Sequence, residues 1–166
     1  MIAIIAEKPS VGMDIARVVG ADTRNDGYCS GNGYMVTWAL GHLVSLAMPD
    51  TYGYTRTAAE DLPMLPEPFR LVSRQVRTDR GMVTDIAASK QLKVIESVFN
   101  RCDSIIVATD AGREGELIFR WIYDFLGCTK PFRRLWISSL TDEAIRKGLE
   151  ELKDGSEYDR DRKSVV

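Results

Sequence analysis

The apolar residues of the chain fall into two patterns. Short runs rich in β-branched side chains are typical of buried strands, and longer stretches with apolar residues every three or four positions are typical of helices. Because the two patterns alternate along the chain, they predict an α/β fold with a mostly parallel central sheet flanked by helices. The predicted strands cover residues 2–6, 34–40, 104–109 and 134–137, and the predicted helices cover residues 11–19, 85–99, 114–126 and 141–152.

Cap and turn residues predict several boundaries. Ser10 is the predicted N-cap of the first helix, and Gly127 is predicted to end the third. Ile86 is placed on the apolar face of the second helix. Residues 49–68 are rich in proline, glycine, tyrosine and acidic side chains, so we expect a long surface connection with little regular structure there.

Composition and charge place the chain among soluble globular proteins. Its 166 residues suffice for one ordinary domain, and its net charge of −2 gives no global sign of a nucleic-acid-binding protein. The three cysteines form no CxxC pair, which favours reduced thiols in the cytoplasm. The apolar N-terminal run follows no basic segment, and no apolar run approaches about 20 residues. We therefore predict neither a signal peptide nor contact with a membrane.

Two predicted strands end in acidic residues. Glu7 follows the first strand, and Asp110 follows the strand at 104–109. Ligand sites of parallel α/β sheets lie beyond the carboxyl ends of the strands, so the two carboxylates meet there if the two strands are neighbours. Mg²⁺ prefers one or two carboxylates together with waters and phosphate oxygens. The pair is therefore a candidate Mg²⁺ site.

The loop after the second of these strands contains glycines and further charges. Its glycines allow a tight turn from strand to helix and can present N–H groups to an anion. Arg113 could hold a phosphate with its planar guanidinium. Glu114 and Glu116 stand in the predicted first turn of a helix, where the helix dipole favours an acid without any further role. Both readings, ligand and first-turn acid, stay open for these two glutamates.

Five stretches of the chain carry a resemblance to a known family. They are IIAEKPSVGMDIARVVG, YMVTWALGHLVSLAMPDTYG, DLPMLPEPF, ATDAGREGELIFRWI and RLWISSLTDEAIRKGL, in this order. Together they resemble the N-terminal Toprim portion of type IA DNA topoisomerases, most of all the bacterial topoisomerase III group. The resemblance implies a Toprim (Rossmann-like) fold over residues 1–153, with residues 154–166 as a charged tail at the truncated end of a longer cytoplasmic protein. It also implies Mg²⁺ as cofactor and single-stranded DNA as substrate.

The resemblance assigns roles to residues of the acidic motif. Glu7 corresponds to a glutamate that binds metal or passes a proton to the leaving 3′ oxygen, and the adjacent Lys8 is expected to steady the scissile phosphate. Asp110 and Glu114 correspond to the first and last acids of the DxDxE-type motif and are expected metal ligands. Gly112 stands where many relatives carry a second aspartate, which favours a single Mg²⁺ over two.

Other residues are expected to contact DNA. His42 lies in a stretch that the family places near the DNA backbone, although a lone histidine in an apolar stretch is more often a hydrogen-bonded structural residue. Arg113 is the second expected DNA contact. Residues 69–101 add a local basic patch, which suits phosphate binding but is more often only a solvated face. Its basic residues are Arg70, Arg74, Arg77, Arg80, Lys90 and Lys93.

The resemblance implies that the full-length protein is an isomerase that cleaves and rejoins one DNA strand through a tyrosine, without ATP. No tyrosine of this chain lies in a stretch resembling the nucleophile motif, so the chain alone is expected to be inactive and to need the remaining domains of the topoisomerase. Two alternatives stay open. One is a Mg²⁺-dependent Toprim nuclease or primase, and the other is a noncatalytic module that binds metal or DNA.

Overall fold

The computed structural model describes residues 1–54, 59–79 and 81–155. The strands are β1 (Ile2–Ala6), β2 (Thr23–Asn25), β3 (Tyr28–Gly31), β4 (Tyr34–Trp38), β5 (Val44–Leu46), β6 (Leu71–Ser73), β7 (Gln75–Thr78), β8 (Gly81–Thr84), β9 (Ser104–Ala108), β10 (Phe132–Arg134) and β11 (Lys153–Asp154). The helices are α1 (Pro9–Val19), α2 (Ile86–Arg101), α3 (Arg113–Phe125) and α4 (Asp142–Glu150). None of the helices within these ranges is long and apolar enough to cross a bilayer.

The main sheet has the strand order β11-β10-β9-β1-β4-β3-β2. Its central strands β10, β9, β1 and β4 run parallel, whereas β11 at one edge and the β2–β3 hairpin at the other run antiparallel to their neighbours. The predicted α/β fold with a mostly parallel sheet is therefore confirmed. Strand β1 lies in the middle, and its Ala6 is level with Trp38 of β4 and Ala108 of β9.

Helices cover both faces of this sheet. Because side chains alternate along a strand, Ala3 and Ile5 of β1 point to one face and Ile4 and Ala6 to the other, and all are fully buried. The first face packs against α2 and α3, and the second packs against α1 and α4. Each helix therefore buries one apolar stripe against the sheet, and β1 and β9 end side by side at the same rim of the sheet.

Several predicted boundaries need correction. The N-cap of α1 is Lys8 rather than Ser10, because Pro9 fits the first helical position, and the Lys8 side chain makes no capping hydrogen bond because it has no acceptor atom. Ile86 begins α2 with 85 % of its surface exposed, so it does not belong to the apolar face. The last predicted parallel strand lies at Phe132–Arg134, two residues before its predicted start.

The segment between β4 and α2 is the least regular part of the fold. The predicted surface connection at 49–68 holds two short 3₁₀ turns, Pro49–Tyr52 and Ala59–Asp61, within its described residues. Strand β5, which precedes it, pairs antiparallel with β6, which follows it, and β7 and β8 form a second small antiparallel pair. Strand β11 includes residue 154, which the sequence places in the charged tail, and residues 156–166 of that tail lie outside the described residues.

Candidate acidic site at the carboxyl edge of the sheet

Glu7 and Asp110 lie next to each other because their strands are parallel neighbours. β1 ends at Ala6 and β9 ends at Ala108, and these two residues are in register. The main-chain N–H of Asp110 donates a hydrogen bond to Glu7 Oε2 at 3.3 Å. The Asp110 side chain is exposed and that of Glu7 is half-buried, so both carboxylates are open to solvent at the rim. Glu7 and Asp110 are therefore neighbours, as the positions of the two strand ends predict.

A tight turn presses α3 against the main chain of Asp110. The hydroxyl of Thr109 donates to the carbonyl oxygen of Gly115 at 2.7 Å, which closes the turn. A Cβ atom at Gly115 would lie 2.0 Å from the carbonyl oxygen of Asp110, so only glycine permits this approach. Gly112 precedes α3 with an extended backbone, φ 173°, and a Cβ atom there would meet nothing within 4 Å. The turn therefore depends on Gly115 and not on Gly112.

Beneath the turn lies a buried cluster of three charges that the sequence analysis missed. Arg120 Nε contacts Glu116 Oε1 at 2.6 Å, and Arg134 Nη1 lies 3.3 Å from Glu116 Oε2. All three residues are at most 7 % exposed. Glu116 is therefore neither a solvent-exposed first-turn acid nor within reach of the rim. The signals in the sequence were its i,i+4 spacing from Arg120 and an arginine inside an apolar strand pattern.

The other predicted site residues lie around the mouth of the turn. His42 Nε2 and Glu114 Oε2 are 3.0 Å apart, and the His42 ring also packs edge-on against Trp121 with ring centroids 5.9 Å apart. Lys8 at the start of α1 and Arg113 at the start of α3 are exposed. The Glu114 carboxylate thus contacts His42 rather than lying beside the Glu7 and Asp110 carboxylates.

The donor set at the rim fits a hard divalent cation. Within residues 1–54, 59–79 and 81–155, no group of three or more acidic, histidine or cysteine side chains is arranged to hold a metal ion. Glu7 and Asp110 remain a pair of neighbouring carboxylates, and Mg²⁺ commonly takes one or two carboxylates and completes its shell with water and phosphate oxygens. The side chain of Glu114 is 81 % exposed and therefore has room to turn toward that pair.

A groove of about 430 Å³ opens beside Asp110. Its far wall carries the hydroxyl side chains Ser138 and Ser139 together with Trp136, which is 42 % exposed. A groove of similar size, about 460 Å³, lies between α1 and β3 and contains none of the predicted site residues. Of these two grooves, only the first is lined by a member of the acidic pair, Asp110, so it is the one that could receive a ligand bound there.

The basic patch expected at residues 69–101 is only partly available to a ligand. Arg74 donates to Asp85 at 2.8 Å and to the carbonyl oxygens of Leu40 and His42, so it holds the loop that carries His42. The Arg74 guanidinium, together with two N–H groups of α2, lowers the pKa of Asp85 below its ordinary value. Lys90 pairs with an aspartate at 2.7 Å, and Arg80 lies outside the described residues. Arg70, Arg77 and Lys93 are exposed, and so is the paired Lys90.

Comparison with known proteins agrees with the fold and the motif. The Toprim domain family matches residues 2–140. The chain is 48 % identical over 161 residues to DNA topoisomerase 3 of Shouchella clausii, and 46 % identical over 167 residues to that of Bacillus subtilis. These alignments cover 95 % and 98 % of this chain but 21 % and 22 % of the relatives, so the chain spans about a fifth of their length.

A solved structure supports the same fold. Full-length topoisomerase I from Thermotoga maritima superposes on 92 % of this chain, and on 21 % of its own, with a TM-score of 0.54. At 17 % identity this likeness concerns the fold alone. The family match and the high identity to the topoisomerases over nearly the whole chain are independent of that superposition. The chain belongs to the Toprim domain family, and it is similar over nearly its whole length to bacterial DNA topoisomerase 3.

Proposed function

We propose that the chain is the Toprim domain of a type IA DNA topoisomerase of the topoisomerase III group, which acts on single-stranded DNA in the cytoplasm. The observation that carries this proposal is the juxtaposition of Glu7 and Asp110 at the carboxyl edge of the sheet, with the 3.3 Å hydrogen bond between them. Identity of 46 % and 48 % to proteins named DNA topoisomerase 3 supports it.

Glu7 and Asp110 would hold a Mg²⁺ ion, and Glu114 would join them directly or through water after leaving His42. Mg²⁺ bound there would stabilise the negative charge that develops on the phosphate oxygens during cleavage. The Glu7 carboxylate is half-buried and so is placed to bind the ion or to move a proton. Gly112 supplies no further acid, which suits one ion rather than two.

The chain's own basic residues would bind the phosphate to be cleaved. Lys8 and Arg113 are exposed at the N-termini of α1 and α3, where helix dipoles also favour an anion. In its alternative role, as a protonated residue that does not bind the ion, Glu7 would donate a proton to the leaving 3′ oxygen during cleavage and accept it back during rejoining. Because a phosphotyrosine intermediate keeps the energy of the phosphodiester bond, the cycle would need no ATP.

Single-stranded DNA would run past His42 and Arg113 toward the exposed cations of the basic patch. Phosphate binding of this kind weakens as the salt concentration rises, because the release of counterions from the DNA then contributes less free energy to binding. The nucleophilic tyrosine would come from another domain of the full-length topoisomerase. We therefore expect the 166-residue chain to bind metal without relaxing supercoiled DNA.

Thermal unfolding with increasing Mg²⁺ or Mn²⁺ tests the metal site. At a metal concentration of about ten times Kd, a site present only in the folded state adds about 1.4 kcal/mol, or a rise in Tm of about 3–6 °C for a chain of this size. Asp110→Asn and Glu7→Gln are expected to lose that rise. The matched control is Asp22→Asn, which changes an exposed aspartate in the other groove and should keep it.

Four results would contradict the proposal. An equal rise in Tm in the wild type and in both site variants would place the metal elsewhere. Metal-dependent hydrolysis of single-stranded DNA by this chain alone, lost in Asp110→Asn, would instead favour a Toprim nuclease. Primer synthesis by the chain would favour a primase, and binding without any contribution to strand cleavage in the full-length protein would favour a noncatalytic module.

A further inference from the structure

We propose that Arg134 is a positioning residue of the acidic site, which sets the geometry of the Glu7 and Asp110 pair from inside the protein. The proposal rests on the proposed function only in treating that pair as a metal site. Arg134 is 1 % exposed, and at this end of the sheet it contacts the main chain of residues 109 and 110 and the Thr109 hydroxyl. Its role would therefore be carried through the segment Thr109–Asp110 at the end of β9.

The guanidinium of Arg134 holds the main chain where β9 becomes the turn. Arg134 is level with Val107 of β9, so its side chain reaches just past the end of that strand. Nη2 donates to the carbonyl oxygen of Asp110 at 2.8 Å and lies 3.5 Å from that of Thr109. Nη1 donates to the Thr109 hydroxyl at 3.1 Å. One planar group therefore contacts two successive carbonyls and the side chain between β9 and α3.

The peptide that joins Thr109 to Asp110 transmits this constraint to Glu7. Its carbonyl oxygen faces Arg134, and its N–H is the group that donates to Glu7 Oε2 at 3.3 Å. Because a peptide unit is planar, holding its carbonyl also fixes the direction of its N–H. A cation on the carbonyl side further polarises the peptide and strengthens the bond that its N–H makes. The distance between the two acids thus depends on a buried arginine.

The same side chain connects the turn to α3. Arg134 lies 3.3 Å from Glu116 Oε2, which compensates its buried charge and aims the guanidinium. A lysine at this position would keep the charge but could not make several parallel hydrogen bonds, because its ammonium is a point charge on a flexible stem. The contacts therefore demand the shape of arginine as well as its charge.

Arg120 provides a matched comparison within the same cluster. It is also buried, and it pairs with the same carboxylate at 2.6 Å. Its other contacts within the described residues include the carbonyl of Gly155 at 3.0 Å and the ring of Phe132 with 4.7 Å to the centroid. Arg120→Lys therefore makes the same chemical change in the same cluster, at a residue whose contacts within the described part of the chain do not include residues 109–110.

The test compares Arg134→Lys with Arg120→Lys in two measurements on the whole chain. The first is the Mn²⁺ affinity, followed by the electron paramagnetic resonance signal of free Mn²⁺. We expect Arg134→Lys to weaken binding by roughly tenfold, the lower end of what residues that orient metal ligands contribute, and Arg120→Lys to leave it unchanged. The second is the NMR chemical shift of the Asp110 amide proton in the absence of metal. We expect this shift to move upfield only in Arg134→Lys, because the hydrogen bond from this amide to Glu7 weakens there.

The amide measurement separates this proposal from the proposed function. If the wild type binds no Mn²⁺, the metal site fails, yet an Asp110 amide shift confined to Arg134→Lys still supports positioning by Arg134. The proposal is overturned if the chemical shift of the Asp110 amide proton in folded Arg134→Lys equals that of the wild type. It is also overturned if that shift changes by the same amount in Arg120→Lys. Should Arg134→Lys not fold, Arg134→Gln removes the cation while Glu116 keeps its ion pair with Arg120, and the Asp110 amide proton of that variant decides in the same way.

Discussion

The close approach of α3 to the turn at Asp110 requires a glycine at position 115. In a Gly115→Ala variant the new Cβ would lie 2.0 Å from the carbonyl oxygen of Asp110 and 2.8 Å from both its carbonyl carbon and its nitrogen. These are main-chain atoms, so no side-chain rotation relieves the overlap. Either α3 moves outward or the main chain of Asp110 is displaced, and the Thr109 bond that closes the turn is strained in both cases.

The expected cost follows from two opposing contributions. Forcing a methyl group into a packed site costs about 1–3 kcal/mol, and contact with main-chain atoms on a fixed strand end puts this site at or above the upper end. Alanine favours the helix over glycine by about 1 kcal/mol, which offsets part of that cost. The net loss is about 2 kcal/mol of unfolding free energy, or a fall in Tm of about 4–8 °C for a domain of this size.

Thermal unfolding followed by far-UV circular dichroism measures this loss. Gly112→Ala is the matched control, because it adds the same methyl group three residues earlier, where the backbone is extended and nothing lies within 4 Å. We expect the control to melt no lower than the wild type. A Gly115→Ala protein that melts at or above the wild-type temperature would show that the turn is not as tight as described.

Two further predictions concern charge. Gly112→Asp adds a carboxylate two residues after Asp110, at a position where a Cβ atom meets nothing within 4 Å, so it should tighten Mn²⁺ binding in the paramagnetic resonance assay relative to Gly112→Asn, and equal affinities would contradict this. Asp85, whose pKa is lowered by Arg74, stabilises the fold above the ordinary aspartate pKa, and that contribution is lost as pH falls through the lower folded value. The Tm difference between the wild type and Asp85→Asn should therefore be largest near neutral pH and shrink below about pH 4, and a constant difference would argue against the ion pair.

The parts of the fold that the sequence predicts well are those with a strong local signal. The apolar runs of β1 and β9 are buried on both faces, so their position in a parallel sheet follows from composition alone, and Glu7 and Asp110 follow from where those runs stop. Strand β2 was missed because all of its residues are exposed and show no apolar pattern. The Asp26–Gly27 turn between β2 and β3 was the available signal, since this dipeptide is typical of a two-residue hairpin loop.

Contacts between distant residues could not be predicted in this way. His42 and Glu114 are 72 positions apart and meet only because the loop after β4 returns to the start of α3. Arg134 supports Asp110 from 24 positions away, and nothing in its own strand pattern indicates which carbonyls it will reach. The sequence therefore located the acids of the site but not the groups that orient them.

The central place of β1 also has a consequence for the order of assembly during synthesis. This first strand pairs with β4 about 30 residues later and with β9 about 100 residues later, and both its edges must be covered before the sheet is closed. At a synthesis rate of roughly 5–20 residues per second, β9 is synthesised on the order of 5–20 s after β1, and one edge of β1 stays unpaired during that time. An apolar strand exposed for that long is the segment on which a ribosome-associated chaperone would be expected to act.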